Sequence, residues 1–179
     1  MTIHSMAVFC GSKTGKDPLY AIHAKQLGYL LATKKITLIY GGGRKGLMGI
    51  VADAALEKNG KVTGIIPHLL TTSEQQHNGI TELIIADDMH SRKKLLYEKC
   101  DAAIILPGGI GTLDECFELL TWNQLSIHNK KVFLLNSNGF YNSMLEHINK
   151  MQNEGFLYAA TEKRIIALSS VEELEAMLP

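Results

Sequence analysis

Ile104-Ile105-Leu106-Pro107-Gly108-Gly109-Ile110-Gly111-Thr112-Leu113-Asp114-Glu115 is the stretch whose reading decides the fold. It opens as a short apolar run, the pattern of a buried parallel strand. The glycines at 108, 109 and 111 let the backbone turn sharply and come close to a ligand. A helix follows: Leu113, Cys116, Phe117 and Leu120 fall at i, i+3, i+4 and i+7 and predict one apolar stripe. The order is therefore strand, glycine turn, helix N-terminus. Such a helix end offers free N–H groups and a partial positive charge, which suit a phosphate. Thr112 adds a hydroxyl donor. Glu115 is expected about one turn further in, on the side opposite the stripe. A carboxylate repels a phosphate, so its place here points to chemistry on the molecule that carries the phosphate.

Outward from this stretch, strands and helices alternate. Upstream, strands are expected at 5–10, 36–40, 62–66, 81–86 and 102–106. The helices between them start at Asp17-Pro18, at Leu47 and at about Met89. Asp17 reads as a helix cap with Pro18 in the first turn, and Gly60 as a C-terminal cap. Residues 69–79 read as a polar surface loop with room for a helical turn. Downstream come a strand at 131–135, a helix over 141–154, a short strand at 165–168 and a closing helix at 171–177. This alternation predicts an α/β protein with a Rossmann-like, doubly wound parallel sheet, forming one domain over residues 1–179. In such sheets the ligand lies at the carboxyl ends of the strands, where strand order reverses. Gly11-Ser12, the loop 41–46 and the loop 108–112 all follow strands and are expected on that edge.

Composition narrows the function. The chain is 46% hydrophobic and 20% charged with zero formal net charge, which fits a soluble globular protein. Nothing in this balance predicts a nucleic-acid footprint or a membrane surface as partner. Three cysteines at 10, 100 and 116 show no paired spacing and read as reduced, buried residues of a cytoplasmic protein. No apolar run reaches membrane-spanning length, and no signal peptide is visible.

Gly41, Gly43 and Gly46 satisfy G-x-G-x-x-G, but the next strand ends Ile65-Ile66-Pro67-His68 without the acid that would hold a ribose. A redox dinucleotide is therefore disfavoured, and the loop reads as a second wall of a mononucleotide pocket. The same loop lacks the Lys-Ser/Thr ending of a P-loop, which excludes ATP hydrolysis. The seven histidines show no metal-ligand spacing, and no G-x-S-x-G elbow is present, so no metal and no hydrolase triad are expected. Arg92 and Lys93 start the helix before the central strand, where cations oppose the helix dipole. A bound anion, or Glu115, would resolve that conflict. Leu119 and Trp122 are placed on the Glu115 side of the central helix. They read either as packing under a neighbouring loop or, in the favoured reading, as a subunit interface beside the active site.

Pro107-Gly108-Gly109-Ile110-Gly111-Thr112-Leu113-Asp114-Glu115 resembles the P-G-G-x-G-T-x-x-E signature of the Lonely Guy (LOG) family. Met89-His90-Ser91-Arg92-Lys93 resembles that family's M-x-x-R-K element, and Gly41 to Gly49 its G-G-G-x-x-G-L-M-G element. Phe9-Cys10-Gly11-Ser12 resembles its first-strand end, so the resemblance covers nearly the whole chain. It implies a cytokinin riboside 5′-monophosphate phosphoribohydrolase, which splits a nucleoside 5′-monophosphate into free base and ribose 5-phosphate without a cofactor. Many members were once mislabelled lysine decarboxylases. The resemblance puts Arg92 and Glu115 at the catalytic positions. It implies substrate contacts at Glu74, Arg92, Lys93, Gly109, Ile110, Gly111, Thr112, Leu113, Asp114, Glu115 and Thr121, and a homodimer. Glu74 and Thr121 match more loosely, and Asp114 stands where the family often has Glu. The alternative is a carrier that binds a nucleotide or molybdenum cofactor without hydrolysis. In such proteins the Arg and Glu are the doubtful positions, and both are present here.

Overall fold

A computed structural model describes residues 2–71, 76–157 and 165–178. The described strands are β1 (Ser5–Phe9), β2 (Thr37–Tyr40), β3 (Val62–Pro67), β4 (Glu82–Ala86), β5 (Ala102–Ile105), β6 (Lys131–Leu135) and β7 (Ile165–Leu168). The helices between and after them are α1 (Pro18–Thr33), α2 (Gly46–Glu57), α3 (Met89–Glu98), α4 (Ile110–Gln124), α5 (Asn142–Asn153) and α6 (Val171–Met177). The strands form one seven-stranded sheet in the order β4-β3-β2-β1-β5-β6-β7. Every pairing in it is parallel. The predicted α/β class and doubly wound, Rossmann-like sheet are what is observed.

Right-handed crossovers explain the layering. The chain runs from β1 outward to β4, then crosses back through α3 to β5 and runs outward the other way. One core joins the β1, β2 and β5 side chains Met6, Val8, Leu38 and Ile104 to α1, α2 and α6. The other joins Ala7, Phe9, Ala103 and Ile105 to Leu96 and Tyr97 of α3, Leu119 and Leu120 of α4 and Tyr141. Alternate residues of β1 feed opposite cores because strand side chains alternate. The switch point is the neighbouring pair β1 and β5, and both of their carboxyl ends open into glycine turns.

Two local expectations need correction. Gly60 is not the left-handed residue ending α2; Asn59 takes that conformation, at φ 57°. Gly60 donates its N–H to Ala55 O and Asn59 donates to Leu56 O, the Schellman pattern. Glycine is needed at 60 for space, because a Cβ would lie 2.7 Å from the Ala32 Cβ. In α4 the buried face is Thr112, Glu115, Cys116, Leu119, Leu120 and Asn123. Phe117, expected in the apolar stripe, is 39% exposed, whereas Leu119, expected at a subunit interface, is 0% exposed inside the chain's own core. Glu115 therefore lies on the buried side rather than opposite it. Trp122 is half-buried and sets its ring edge-on to Tyr97 at 5.0 Å. The apolar stripe lies one position further round than the spacing predicts: α4 packs on β1, and Leu119 joins Leu96 and Tyr97 of α3 in the core.

Candidate active site

A cavity of about 240 Å³ opens at the carboxyl ends of β1 and β5, lined by Cys10, Gly41, Met48, Arg92, Glu115 and the turn Gly109 to Thr112. A second chamber of about 370 Å³ lies beyond Gly11 and Gly109, walled by Tyr20, Leu47, Pro107 and Phe140. Only the first brings an acid and a guanidinium together, and it is the candidate site.

The glycines of the turn serve two purposes. A Cβ on Gly108 would lie 2.2 Å from the Thr112 Oγ1, so that position is fixed by packing against the first helical turn. A Cβ on Gly109 or Gly111 would meet nothing within 4 Å. Neither of these glycines has a positive φ. Protein packing and backbone conformation thus do not demand glycine at 109 or 111; open space in front of the N–H groups is what glycine provides there. Gly109 is the N-cap of α4 and supplies no side-chain cap, so the helix end faces the cavity with its own N–H donors.

Arg92 comes from the first turn of α3, which is set by the Asp88 carboxylate accepting from the Ser91 N–H at 2.7 Å. Its side chain turns inward, and the residue is only 8% exposed. Its Nε donates to Ile65 O of β3 at 3.2 Å, and its Nη1 lies 3.6 Å from the Glu115 Oε1. The guanidinium rests on Gly41: a Cβ there would be 2.4 Å from Nη2. Glu115 is 9% exposed and sits one helical turn below the open N–H groups. The site can therefore receive an anion at the helix end while holding a carboxylate beside what that anion is attached to. Burial, with the Glu115 charge as a second cause, pushes the Cys10 thiol far above its ordinary range. It stays protonated and is no nucleophile.

The other expected contact residues are not all gathered here. Lys93 points to α4, where its Nζ lies 2.9 Å from Glu118 and 3.2 Å from Asp114. Its pKa is raised, chiefly by the Glu118 hydrogen bond against the opposing effect of burial. Tyr97 donates to the same Glu118 at 2.9 Å. Lys93 and Tyr97 on α3 face Asp114 and Glu118 on α4, each pair spaced i, i+4. That polar seam was missed in the sequence, although the matched spacing was its signal. Thr112 is buried and lines the cavity, Leu113 is half-buried, and Ile110 is fully presented to solvent at the cavity mouth. Thr121 is exposed and donates to Phe117 O at 2.7 Å. It stands nine residues beyond Thr112, about 14 Å along the helix, outside the cavity. Glu74 lies outside the described residues.

The glycine-rich loop 41–46 divides in the same way. Gly41 and Met48 wall the cavity, as a second wall would. Gly46, at φ 60°, locks this loop to the first one: a Cβ there would lie 2.3 Å from the Ser12 carbonyl carbon. The Leu47 N–H donates to Gly11 O at 3.0 Å across the same junction. Cys10 and Met48 were not singled out as pocket residues, for their side chains carry no charge to mark them. Among the described residues no group of three His, Cys, Asp or Glu could hold a metal ion, and no helix is long and apolar enough to cross a membrane.

Comparison with known proteins places the chain in a family. A family model described as "Possible lysine decarboxylase" matches residues 48–178. A cytokinin riboside 5′-monophosphate phosphoribohydrolase of Rhodococcoides fascians is 45% identical over 172 residues, covering 96% of this chain and 87% of its own. The enzyme LOG7 of that name from Arabidopsis thaliana is 44% identical, covering 97% and 80%. Among solved structures, a molybdenum cofactor binding protein from Rippkaea orientalis superposes with a TM-score of 0.72 at 22% identity, covering 99% of this chain and 98% of that one. At that identity it shares the fold. With its signature turn, its Arg92–Glu115 pair and relatives of 44–45% identity covered over at least 80% of their length, the chain belongs to the LOG family.

Proposed function

We propose that this protein hydrolyses the N-glycosidic bond of a nucleoside 5′-monophosphate, releasing the base and ribose 5-phosphate. The observation that carries the reading is the buried Arg92–Glu115 pair one turn below an open, glycine-lined helix end. The substrate's 5′-phosphate is held by the N–H groups of the turn Gly109 to Thr112 and by the helix dipole. The ribose then lies over Glu115. As the C1′–N bond lengthens, its electron pair leaves with the base, which takes up a proton, and positive charge gathers on C1′ and the ring oxygen. The Glu115 carboxylate stabilises that cation and takes the proton that the attacking water loses as its oxygen bonds to C1′, while the departing base takes its proton from solvent. Arg92 keeps the carboxylate in place and offsets its repulsion of the phosphate. Leu113 and Asp114 complete the substrate-binding turn, and Lys93 anchors Asp114. The named activity of the relatives makes an adenine-type cytokinin riboside monophosphate the first substrate to try, with AMP beside it.

The working form is a homodimer in this reading. The cavity is smaller than the roughly 300–1,000 Å³ usual for a ligand site, and it is open at Ile110. Ile110, Phe117, Thr121 and Leu125 form an exposed stripe along α4. A second copy laid along that stripe would cover the mouth and bring its Thr121, too far from its own cavity, to the neighbour's substrate. Three buried free cysteines suit a reducing compartment, the cytoplasm.

The test is incubation of the purified protein with paired nucleosides and 5′-monophosphates, scored by chromatography of free base. Base is expected from the monophosphates alone. Equal turnover of adenosine and AMP would refute the phosphate cradle. A cofactor retained through purification, with no base from any monophosphate, would favour the carrier.

A further inference from the structure

His77 has no part in the mechanism above, yet it is 5% exposed and fully engaged. The Gly79 N–H donates to its Nδ1 at 3.2 Å, so that nitrogen carries no proton. The proton is therefore on Nε2, which donates to the Asp53 Oδ1 of α2 at 2.9 Å. A neutral histidine is thus fixed in one tautomer at both ends. Its backbone N–H donates to Gly42 O at 2.9 Å, and the preceding residue, Gln76, forms an antiparallel bridge with Gly43. Residues 76–79, ahead of β4, consequently lie as a strap across the end of β2, riveted to α2 through the imidazole.

What lies under the strap is the bed of the Arg92 guanidinium. Gly42, at φ 77°, packs against β3 so tightly that a Cβ on Gly64 would be 2.7 Å from the Gly42 Cα and 2.6 Å from Ile80. Gly41, the next residue, is the surface on which Nη2 rests. The other contacts of the guanidinium are Ile65 O and Glu115. A displacement of Gly41 moves the arginine relative to its carboxylate, and small errors in such a pair are costly to rate.

We propose that His77 is a positioning residue: with Asp53 it clamps the strap over Gly42, and through Gly41 it sets the Arg92 guanidinium against Glu115. This rests on the reaction assigned above. His77→Ala removes both side-chain bonds, and kcat should fall by about tenfold or more with KM little changed, at a temperature where the variant is folded. His77→Gln retains an N–H at the reach of Nε2 and should recover most of the rate. A purely structural histidine would lower melting temperature in both variants and leave kcat in place. The second readout is the Arg92 Nε–H, identified in nitrogen-edited NMR by its loss in Arg92→Lys. Its exchange protection should drop in His77→Ala and return in His77→Gln. Wild-type kcat in folded His77→Ala, a glutamine variant as impaired as the alanine one, or unchanged Arg92 protection would each overturn the proposal. If the wild type releases no base, the assigned reaction fails and the NMR readout alone decides. If His77→Ala does not fold, His77→Gln and Asp53→Ala supply the same comparison.

Discussion

Gly111→Ala is expected to give a more stable protein and a poorer enzyme. Gly111 is the second residue of α4, its φ is not positive, and a Cβ would meet nothing within 4 Å. Alanine is favoured over glycine in a helix by roughly 0.5–1 kcal/mol. For a chain of this length that corresponds to a melting temperature higher by about 1–4 °C. The space the methyl enters is where the proposed function puts the phosphate. Moving the anion off one N–H forfeits a charge-assisted hydrogen bond of about 1.5–3 kcal/mol, which is on the order of ten- to a hundredfold in affinity. Thermal unfolding and base-release kinetics on the same preparation read both effects. Gly108→Ala is the control with the opposite sign for stability. Its Cβ would stand 2.2 Å from Thr112 Oγ1 and 2.6 Å from Thr112 Cβ, so the first turn must shift, at a cost of about 1–3 kcal/mol. If Gly111→Ala melts higher but keeps wild-type KM and kcat, no phosphate sits at this helix end and the reasoning is refuted.

Three further outcomes follow from the same coordinates. Glu115→Gln keeps the shape and removes the charge, so kcat should fall by about a hundredfold or more while nucleotide affinity holds or tightens; a near wild-type rate would reduce Glu115 to a structural residue. Burial lowers the His23 pKa, with Glu172 and Asp17 pulling weakly the other way. The unfolded chain therefore takes up the proton first as pH falls below the ordinary histidine value of 6.5, and this contribution to stability, complete above that pH, is lost on acidification. Denaturant titrations should show the wild-type advantage over His23→Gln shrinking as pH falls, and a constant difference would contradict it. The buried thiols of Cys100 and Cys116, pushed up to about 11 and about 12 chiefly by burial, and that of Cys10 should react with a thiol reagent only after unfolding; prompt labelling of any of them in the native protein would contradict the packing.

Much of this was legible in the residues because the relevant signals are local. The strand-turn-helix at 102–125 announces itself through apolar run, glycines and helical spacing, and alternation along the chain then leaves the doubly wound sheet as the consistent topology. Asp17-Pro18 marked the start of α1, and Asp17 does accept from the Leu19 N–H at 2.9 Å. What was not legible depends on contacts between distant segments. The face of α4 that is buried is set by its packing on β1 and against Leu96 and Tyr97 of α3, and helical spacing alone puts Phe117 and Leu119 on the wrong sides. Gly60 looked like a helix cap but answers to Ala32, 28 residues earlier. Lys93 is expected among the substrate contacts, and its ties to Asp114 and Glu118 of α4 are not visible in the residues next to it. His77 looked like one of several unremarkable histidines, because neither Asp53 nor Gly42 is near it in sequence.

The placement of Glu115 also explains why the seam between α3 and α4 is polar. A carboxylate and a guanidinium at low exposure, 3.6 Å apart, lose hydration that their attraction repays only in part. A pair kept only for stability would be closer or would be replaced by apolar side chains of similar volume. The neighbouring contacts run the other way and are well formed: Lys93 to Glu118 at 2.9 Å and Tyr97 to Glu118 at 2.9 Å. The same Tyr97 hydroxyl lies 3.3 Å from the backbone O of Glu115, so its one proton, directed mainly at Glu118, keeps α3 beside the turn of α4 that carries the carboxylate. Those bonds hold α3 beside α4, so the Arg92–Glu115 pair is presented from two tethered helices. The Glu115 charge held there is what a developing ribosyl cation would draw upon.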